Sequence, residues 1–338
     1  MEAGDLRIAT YFNEEGQADT PIDLLDWLLE GDPAIRWQAL QDLADADAAT
    51  IATERACVAE TGWGARLLSY QEPSGMWGGG LYSPKWISTT YTLLQLRDLG
   101  LLPRHPQALR GCELLLEHGF FRDGGINFSA RARYSETCIT GMVLSICAYF
   151  RLQDERLEAV AGHLLRQQLP DGGWNCRSFR GDTHSSFHTT MSALEGLEHY
   201  RRWAQEAGAG EALGEAIAAA QTRGHEFLLV HRLFRSHRTG EVADSKLLRF
   251  PFPPRWRYDV LRALDYFAWA GVRFPGGRDE RLNDGIELLE NKRLPDGRWA
   301  VARGMSGKVF FNMEPAGTPS RWNSLRALRV LRWWEDLR

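Results

Sequence analysis

Hydrophobic side chains recur at three- and four-residue spacing along most of the chain, which is the pattern of amphipathic helices. The stretches come in pairs separated by a turn. The first members of the pairs cover residues 57–70, 106–118, 156–168, 212–233 and 280–292. The second members cover residues 87–99, 135–150, 185–200, 258–270 and 320–334. The second set is more apolar and richer in small residues, which predicts that these helices lie inside the first set.

A further amphipathic pair spans residues 22–46, and the chain has no long period-two alternation that would indicate strands. Only residues 247–253 look extended. Helix pairs that alternate between an inner and an outer layer close into a ring. The pattern therefore predicts an all-α fold, an α/α toroid of about five to six helix pairs around a central cavity. We expect residues 21–338 to form this single domain and residues 1–20 to form an amino-terminal tail or cap.

The turns between paired helices repeat one short sequence. Residues 71–77 and 168–174 share the spacing Gln-x-x-x-Gly-x-Trp, residues 293–299 keep all but the glutamine, and residues 120–126 are a weaker copy. Copies lie about 50 residues apart, which is within the range of repeat lengths found in folds built from stacked supersecondary units. Glycine permits a tight turn, and a large ring can cover the end of a helix. We therefore expect structural roles for Trp77, Trp174 and Trp299.

Composition excludes several classes of protein. The formal net charge of −4 gives no overall attraction to nucleic acid or to an anionic membrane. The five cysteines form no CxxC pair and no dense disulfide framework, which favours reduced thiols. The amino terminus is polar and acidic, unlike a signal peptide, and no apolar run has the length of a membrane span. These features predict a soluble, cytoplasmic protein.

The repeated turn and the paired helices resemble the superfamily of squalene and oxidosqualene cyclases and the β subunits of protein prenyltransferases. The likeness runs from about residue 56 to the carboxyl end. It implies an α/α toroid and a hydrophobic substrate of isoprenoid or diphosphate-bearing type, for a transferase or a cyclase. The chain lacks the Asp-x-Asp-Asp acid of the protonating cyclases and the DDxxD magnesium motif of the ionising synthases.

The resemblance to the prenyltransferase β subunits also implies a zinc site. Those subunits carry Asp-x-Cys at the start of one inner helix and a histidine at the start of a later one. The similar positions here are Glu136, Cys138 and His188. The family has a basic residue three positions before its aspartate that helps to hold diphosphate, and Arg133 stands there with Arg131 nearby. Glutamate in place of aspartate is a departure from the family pattern.

The residue types alone also suit a zinc site, but they leave open which residues are the ligands and what Cys138 does. A thiolate, an imidazole and a carboxylate suit Zn²⁺, and three protein ligands leave a fourth position for substrate. His184 or Cys176 could replace Glu136 as a ligand. Cys138 could instead act as a nucleophile beside a histidine, or simply be a small buried hydrophobe.

Basic residues stand next to tryptophans where three inner helices are predicted to start. The pairs are Lys85 with Trp86, Arg255 with Trp256, and Arg321 with Trp322. Such a mouth of cations and rings would suit a small anionic or hydrophobic ligand. The predicted substrate-binding residues are Arg131, Arg133, Lys85, Trp86, His184, Arg255, Trp256, Tyr258, Arg321 and Trp322.

Two other functions fit the sequence. A glycan hydrolase or lyase on the same ring would need two carboxyl groups facing each other, for which Glu136, Asp182 and Asp259 are candidates. Asp259 is therefore a predicted catalytic residue together with Cys138, His188 and Glu136. A non-catalytic binding or scaffold toroid is the third hypothesis. The sequence leaves the substrate, any partner subunit and the oligomeric state open.

Overall fold

The computed structural model describes residues 23–131, 133–208 and 211–337. The predicted tail or cap at residues 1–20 lies outside this part of the chain. The α-helices in the described part are α1 (Leu24–Leu29), α2 (Pro33–Asp42), α3 (Ala48–Ala56), α4 (Gly62–Leu68), α5 (Thr89–Leu99), α6 (Pro106–Gly119), α7 (Thr137–Tyr149), α8 (Arg156–Arg166), α9 (Phe187–Ala207), α10 (Glu211–Val230), α11 (Val260–Trp269), α12 (Asn283–Asn291) and α13 (Arg321–Glu335). β pairing in these ranges is confined to isolated bridges. The all-α prediction is confirmed.

Six of the helices form a closed inner ring. In ring order they are α2, α5, α7, α9, α11 and α13. Four seams are direct helix contacts: α5 with α7, α7 with α9, α11 with α13, and α13 with α2. Side chains join the other two seams: Trp37 Nε1 donates to the Leu99 carbonyl at 3.0 Å, and Arg262 Nε donates to Glu195 at 2.7 Å. The closed ring is the α/α toroid that the repeats predict.

The degree of burial separates the inner layer from the outer layer. On the inner helix α7, every residue from Thr137 to Ala148 except Cys138 is buried. The outer helix α8 buries only one face, which includes Leu157, Val160 and Leu164. This difference follows from position, because an inner helix has neighbours on all sides and an outer helix faces water. Among the described residues, no helix is long and apolar enough to cross a membrane.

Helices α7 and α9 approach each other more closely than other neighbours. A Cβ atom on Gly141 would lie 2.4 Å from the Ser192 carbonyl oxygen, and one on Gly196 would lie 2.6 Å from the Gly141 carbonyl oxygen. Glycine at both positions lets the two backbones touch. The starts of these two helices, where the predicted zinc ligands lie, are thereby held close together.

The tryptophan of each repeated turn is buried and bonded to the outer helix before it. Its indole Nε1 donates to the carbonyl oxygen ten residues earlier, at 2.8 Å for Trp77, 2.7 Å for Trp174 and 2.7 Å for Trp299. The buried ring also packs in the core between the two layers. Each ring therefore joins the end of an outer helix to the core.

The backbone of the same turns is bonded to the next inner helix. The Trp77 N–H donates to the Thr89 hydroxyl, and the Trp174 N–H donates to the Thr190 hydroxyl, at 3.1 and 3.0 Å. The Gln168 amide donates to the carbonyl of Gly172 within the turn and to that of Ala220 on the following outer helix. One turn thus connects three helices and sets where each inner helix begins.

Candidate functional site

A cavity of about 650 Å³ lies inside the ring. Its wall includes the last turns of the inner helices, such as Asp98 of α5, Tyr149 of α7 and Trp333 of α13. Phe252 and Trp322 line the cavity on the side opposite these helix ends. The cavity is therefore reached from the carboxyl ends of the inner helices, and these two rings form its floor.

Arginine dominates the lining of this cavity. Nine arginines and five carboxylates line it, and three of these arginines, Arg151, Arg202 and Arg332, pair with the carboxylates of Glu206, Glu198 and Asp45 beyond the lining. The arginines are Arg55, Arg97, Arg151, Arg202, Arg262, Arg273, Arg326, Arg329 and Arg332. The acids are Asp42, Asp98, Glu195, Asp265 and Asp336. Because the chain as a whole carries a net negative charge, this concentration of arginine is a property of the cavity.

Glu195 is the centre of one buried ion-pair network. Both of its carboxylate oxygens accept from Arg262, at 2.7 and 2.8 Å, and one lies 3.5 Å from the guanidinium of Arg97. Burial alone would raise the pKa of Glu195, but the two arginines outweigh burial and lower it. The network joins α5, α9 and α11 across the cavity wall.

Asp265 is the centre of a second network, between α11, α13 and α2. It accepts from Arg326 at 3.0 Å and from Arg329 at 2.8 Å, and Arg329 also pairs with Asp42 at 2.6 Å. Arg326 is only 5% exposed, and its Nη1 atom is buried without a hydrogen-bond partner. A buried donor without a partner is costly, and the charge of Arg326 also acts on the buried Asp259 carboxyl, whose pKa it lowers.

Aromatic rings share the lining with the arginines. Trp269 lies beneath the Arg202 guanidinium, 4.2 Å from the ring centroid, and packs against His199 at 4.5 Å. Burial holds the pKa of His199 well below its usual value, so this imidazole is neutral near pH 7. The cavity therefore offers apolar surface as well as positive charge.

The opposite end of the ring, where the inner helices begin, is filled by residues 251–258. The Arg255 guanidinium lies 4.5 Å from the Trp86 ring, and the Trp256 ring lies 5.2 Å from the His188 ring. Phe252 stacks on Trp322 at 4.4 Å. This segment separates the predicted mouth from the cavity and contributes the cavity floor.

The predicted ligand-binding residues are only partly brought together. Lys85, Trp86, Arg255 and Trp256 cluster: the Lys85 ammonium lies 5.6 Å from the Trp86 ring and 6.0 Å from the Trp256 ring. Tyr258 is buried, and its hydroxyl donates to the Leu233 carbonyl.

The other predicted binding residues lie apart from that cluster. Arg131, Arg133 and His184 are exposed. Arg321 turns outward and lies over the Trp27 ring of α1 at 4.6 Å, while its neighbour Trp322 faces the cavity.

The residues of the implied zinc site do not fit a three-ligand metal centre. His188 Nδ1 accepts the Tyr258 backbone N–H at 2.9 Å, and the Cys138 thiol interacts with Cys176. The described residues contain no group of three or more histidine, cysteine, aspartate or glutamate side chains that could hold a metal ion. The close starts of α7 and α9 bring these residues into one region, but the side chains are engaged elsewhere.

Two free cysteines, Cys138 and Cys176, are among the residues that the sequence offers as zinc ligands. Hydrogen bonds from Cys138 and from the Thr189 hydroxyl favour the Cys176 thiolate and lower its pKa to about 6, although burial opposes them. The pKa of Cys138 is raised well above its usual value, first by its hydrogen bond to Cys176 and then by burial. One thiol is therefore the donor and the other the acceptor of the pair.

Asp259 lies behind the cavity wall and caps the amino end of α11. Its Oδ1 accepts the Arg262 backbone N–H at 2.9 Å, while its Oδ2 is buried without a partner. Burial raises the pKa of Asp259 to about 6, against the opposing effect of Arg326. The carboxyl group does not line the cavity, so its predicted catalytic role lacks direct access to a ligand there.

The raised pKa predicts a pH-dependent effect of Asp259→Asn. Because the folded-state pKa exceeds the usual value, the carboxyl's contribution to stability is complete at low pH and is lost as pH rises through about 6. Asparagine caps a helix as well as aspartate and cannot ionise. We expect the variant to raise the free energy of unfolding by about 2 kcal/mol near pH 8 and to change it little near pH 4, as measured by urea denaturation.

Asp47 supplies the control for this experiment. It caps α3 at the surface, and hydrogen bonds with Thr50 lower its pKa. Asp47→Asn should therefore change stability in the opposite direction, with a loss above pH 4. Equal effects of Asp259→Asn at both pH values would contradict the assigned shift.

The sequence analysis did not predict the arginine networks, although the positions of the arginines indicate them. Arg97, Arg262 and Arg326 stand within predicted inner helices, among apolar residues that predict burial. A charged residue in such a position is rarely buried without a partner. Arginines on three predicted inner helices could therefore have indicated a charged cavity.

Known proteins share little sequence with this chain. No protein-family model matches it, and no curated protein matches it. Among solved structures, it is similar to a variant of the type II terpene cyclase MstE from Scytonema in complex with the product merosterolic acid A. The identity is 14% and the TM-score 0.34, over 85% of this chain and 97% of that chain. A TM-score this low establishes no shared fold, so the toroid rests on the helix contacts of this chain itself.

Proposed function

We propose that this protein acts on an anionic, partly apolar small molecule in the arginine-lined cavity, and that its substrate class is the isoprenoid diphosphates. The observation that carries the proposal is the concentration of arginine in a cavity inside the ring, which nine arginines and five carboxylates line. The resemblance of the repeats to cyclases and prenyltransferases supports the same class.

The charge of the cavity supports a phosphate-bearing ligand. Guanidinium groups match phosphate oxygens with paired hydrogen bonds, and such bonds are stronger than neutral ones. Arg326 is held in place by Asp265, so its remaining donors are pre-oriented, whereas all three guanidinium nitrogens of Arg329 already donate to Asp42, Asp265 and Gln38. A preorganised donor loses little entropy when a ligand arrives.

The rings support an apolar ligand body. The floor of Phe252 and Trp322 and the wall of Trp269 offer aromatic surface at the depth of the arginines. A volume of about 650 Å³ falls within the range of small-molecule sites. A ligand with an anionic head and a hydrocarbon tail would use both kinds of surface.

The cavity favours departure of an anion over proton transfer. Asp42, Asp98, Glu195 and Asp265 are all bonded to arginines, so each of these carboxylates is already engaged within the wall. Arginines that are fixed before the reaction can stabilise charge that develops on a leaving diphosphate. We therefore propose a transferase or cyclase step that begins with loss of diphosphate. The paired carboxylates give no support to the glycan hydrolase alternative.

Binding experiments test this proposal. Isothermal titration calorimetry should show binding of farnesyl diphosphate, and weaker binding of inorganic diphosphate, because only the former fills the aromatic surface. Arg326→Gln should raise the Kd for both ligands about 10- to 100-fold, the worth of hydrogen bonds to a charged group. Binding should weaken as salt is added.

Arg110→Gln is the control, because Arg110 is an exposed residue of α6 that only pairs with Glu113. It should leave both Kd values unchanged. No binding of either ligand, or equal Kd values for wild type and Arg326→Gln, would contradict the proposal. Binding of farnesyl diphosphate without release of diphosphate would favour a non-catalytic ligand-binding toroid.

A further inference from the structure

Two histidines outside the lining of the arginine cavity bring their ring nitrogens close to each other. His231 directly follows the last residue of α10, and His237 lies in a short hairpin in which Arg235 pairs with Val242. His237 Nδ1 is 3.1 Å from His231 Nε2, and the two ring planes are 83° apart. Imidazole nitrogens are the commonest metal ligands in proteins. The contact therefore places two groups of this kind side by side.

The surroundings of His231 determine which of its nitrogens has a free lone pair. Its Nδ1 lies 2.7 Å from the Phe227 carbonyl oxygen, which can only accept a hydrogen bond, so Nδ1 carries the proton. Nε2 is then the acceptor in the contact with His237. Ring contacts with Phe187 and Phe227, at 5.4 and 4.5 Å between centroids, hold the imidazole in this orientation. Metal-binding histidines usually donate their other ring N–H in this way.

The distance between the two nitrogens suits two ligands of one metal ion. With metal–nitrogen bonds of about 2.0–2.1 Å, two such ligands stand about 2.9–3.4 Å apart in square or tetrahedral geometry. The observed 3.1 Å falls within this range. His237 is exposed, so its ring can turn and carry its proton on Nε2, which frees Nδ1 for the metal. His237 also borders a surface pocket of about 360 Å³, which has room for water in the remaining positions.

We propose that His231 and His237 together bind one divalent ion of a late first-row transition metal, such as Ni²⁺ or Zn²⁺, with water in the other positions. Imidazole suits these ions, whereas Mg²⁺ and Ca²⁺ require oxygen ligands. The positive charge of the neighbouring Arg232 and Arg235 is partly offset by Asp284, with which they pair at 3.3 and 2.5 Å. The bound ion connects the end of α10 to the hairpin. This site shares no residue with the implied zinc site or with the arginine cavity.

Titration of the untagged, chelator-treated protein with metal tests this proposal. Isothermal titration calorimetry should show one Ni²⁺ bound per chain and no binding of Mg²⁺. His237→Ala and His231→Ala should each raise the Kd for Ni²⁺ about 10-fold or more. His118→Ala is the matched control, because His118 is an exposed histidine of α6, and it should leave the Kd unchanged. His237→Ala should also leave the unfolding temperature of the metal-free protein unchanged, which separates loss of a ligand from loss of the fold.

Cobalt distinguishes imidazole ligands from cysteine ligands. Co²⁺ bound to the histidine pair should absorb visible light without the near-ultraviolet charge-transfer band that a cobalt–thiolate bond produces. Cys138→Ala should leave both this spectrum and the Kd for Ni²⁺ unchanged. No binding of Ni²⁺, equal Kd values for the wild type and His237→Ala, or loss of binding in Cys138→Ala would overturn the proposal. Ligand binding in the arginine cavity is measured separately and does not depend on this result.

Discussion

Replacement of Glu195 by alanine is expected to lower the free energy of unfolding by about 3–5 kcal/mol, the usual cost of removing one partner from a buried ion pair. The Arg262 side chain is only 4% exposed and that of Arg97 is 10% exposed. Without Glu195, both guanidinium groups would stay buried with less negative charge near them. Urea denaturation at neutral pH measures the effect, provided that the wild type and the variant have equal slopes.

Glu206 provides a matched control on the same helix. It pairs with Arg151 at 2.5 Å, but its side chain is 59% exposed. Glu206→Ala should therefore cost less than about 1 kcal/mol, as surface pairs do. The lowered pKa of Glu195 adds a second criterion: the stability that this carboxylate contributes is present at neutral pH and is lost as pH falls through its folded-state pKa. A variant as stable as Glu206→Ala would contradict the network.

Replacement of Trp174 by alanine is expected to cost about 3–5 kcal/mol as well, because it leaves a large void in a packed core. The ring is fully buried, and its indole donates to the Leu164 carbonyl at 2.7 Å. A Cβ atom on Gly224 of α10 would lie 2.9 Å from this ring, so α10 packs directly on it. Differential scanning calorimetry and urea denaturation would measure the loss.

Two further substitutions divide this effect into its parts. Trp174→Phe keeps most of the packing but removes the indole donor, and should cost less than the alanine variant, with about 1–2 kcal/mol from the unpaired Leu164 carbonyl. Phe179→Ala removes a ring that is 45% exposed and should change stability by less than about 1 kcal/mol. If Trp174→Ala behaved like Phe179→Ala, the turn would not connect the layers as described.

The helix pairs could be predicted because a period of 3.6 residues records which face of a helix is buried. The predicted bounds of a helix were wrong where the contact of a single residue interrupts it. The predicted helix over residues 57–70 is interrupted, and α4 starts only at Gly62, which has φ of +70°. A Cβ atom there would lie 2.1 Å from Asp32, so the chain turns closely around that aspartate. Periodicity carries no information about such a contact.

The sequence predicts the site where the inner helices begin, whereas the arginine-lined cavity that we propose as the site lies toward their carboxyl ends. Sequence spacing shows which residues start an inner helix, such as Trp86 and Trp256, but not that residues 251–258 fold across those starts. The cavity instead opens where the same helices end. Its arginines come from four inner helices, from α3 and from loops, so no local pattern could have grouped them.

The implied zinc site shows a different limit of sequence spacing. Glu136 and Cys138 lie at the start of α7 and His188 lies in the first turn of α9, two helices whose backbones touch at Gly141 and Gly196. Ligand geometry also depends on which atom each side chain already uses. The backbone N–H of Tyr258 occupies His188 Nδ1, and that residue lies 70 positions further along the chain. A contact over such a distance lies beyond local sequence patterns.

The seam between α2 and α13 has a consequence for biosynthesis. Arg329 reaches back to Asp42, 287 positions earlier in the chain. A ribosome makes α2 first, and roughly a quarter of a minute or more passes before α13 emerges, at the usual 5–20 residues per second. During that interval the nascent chain is an open arc, with the apolar and charged edges of α2 exposed to other molecules. Helix α13 therefore completes the core, and truncation before it would leave an aggregation-prone intermediate.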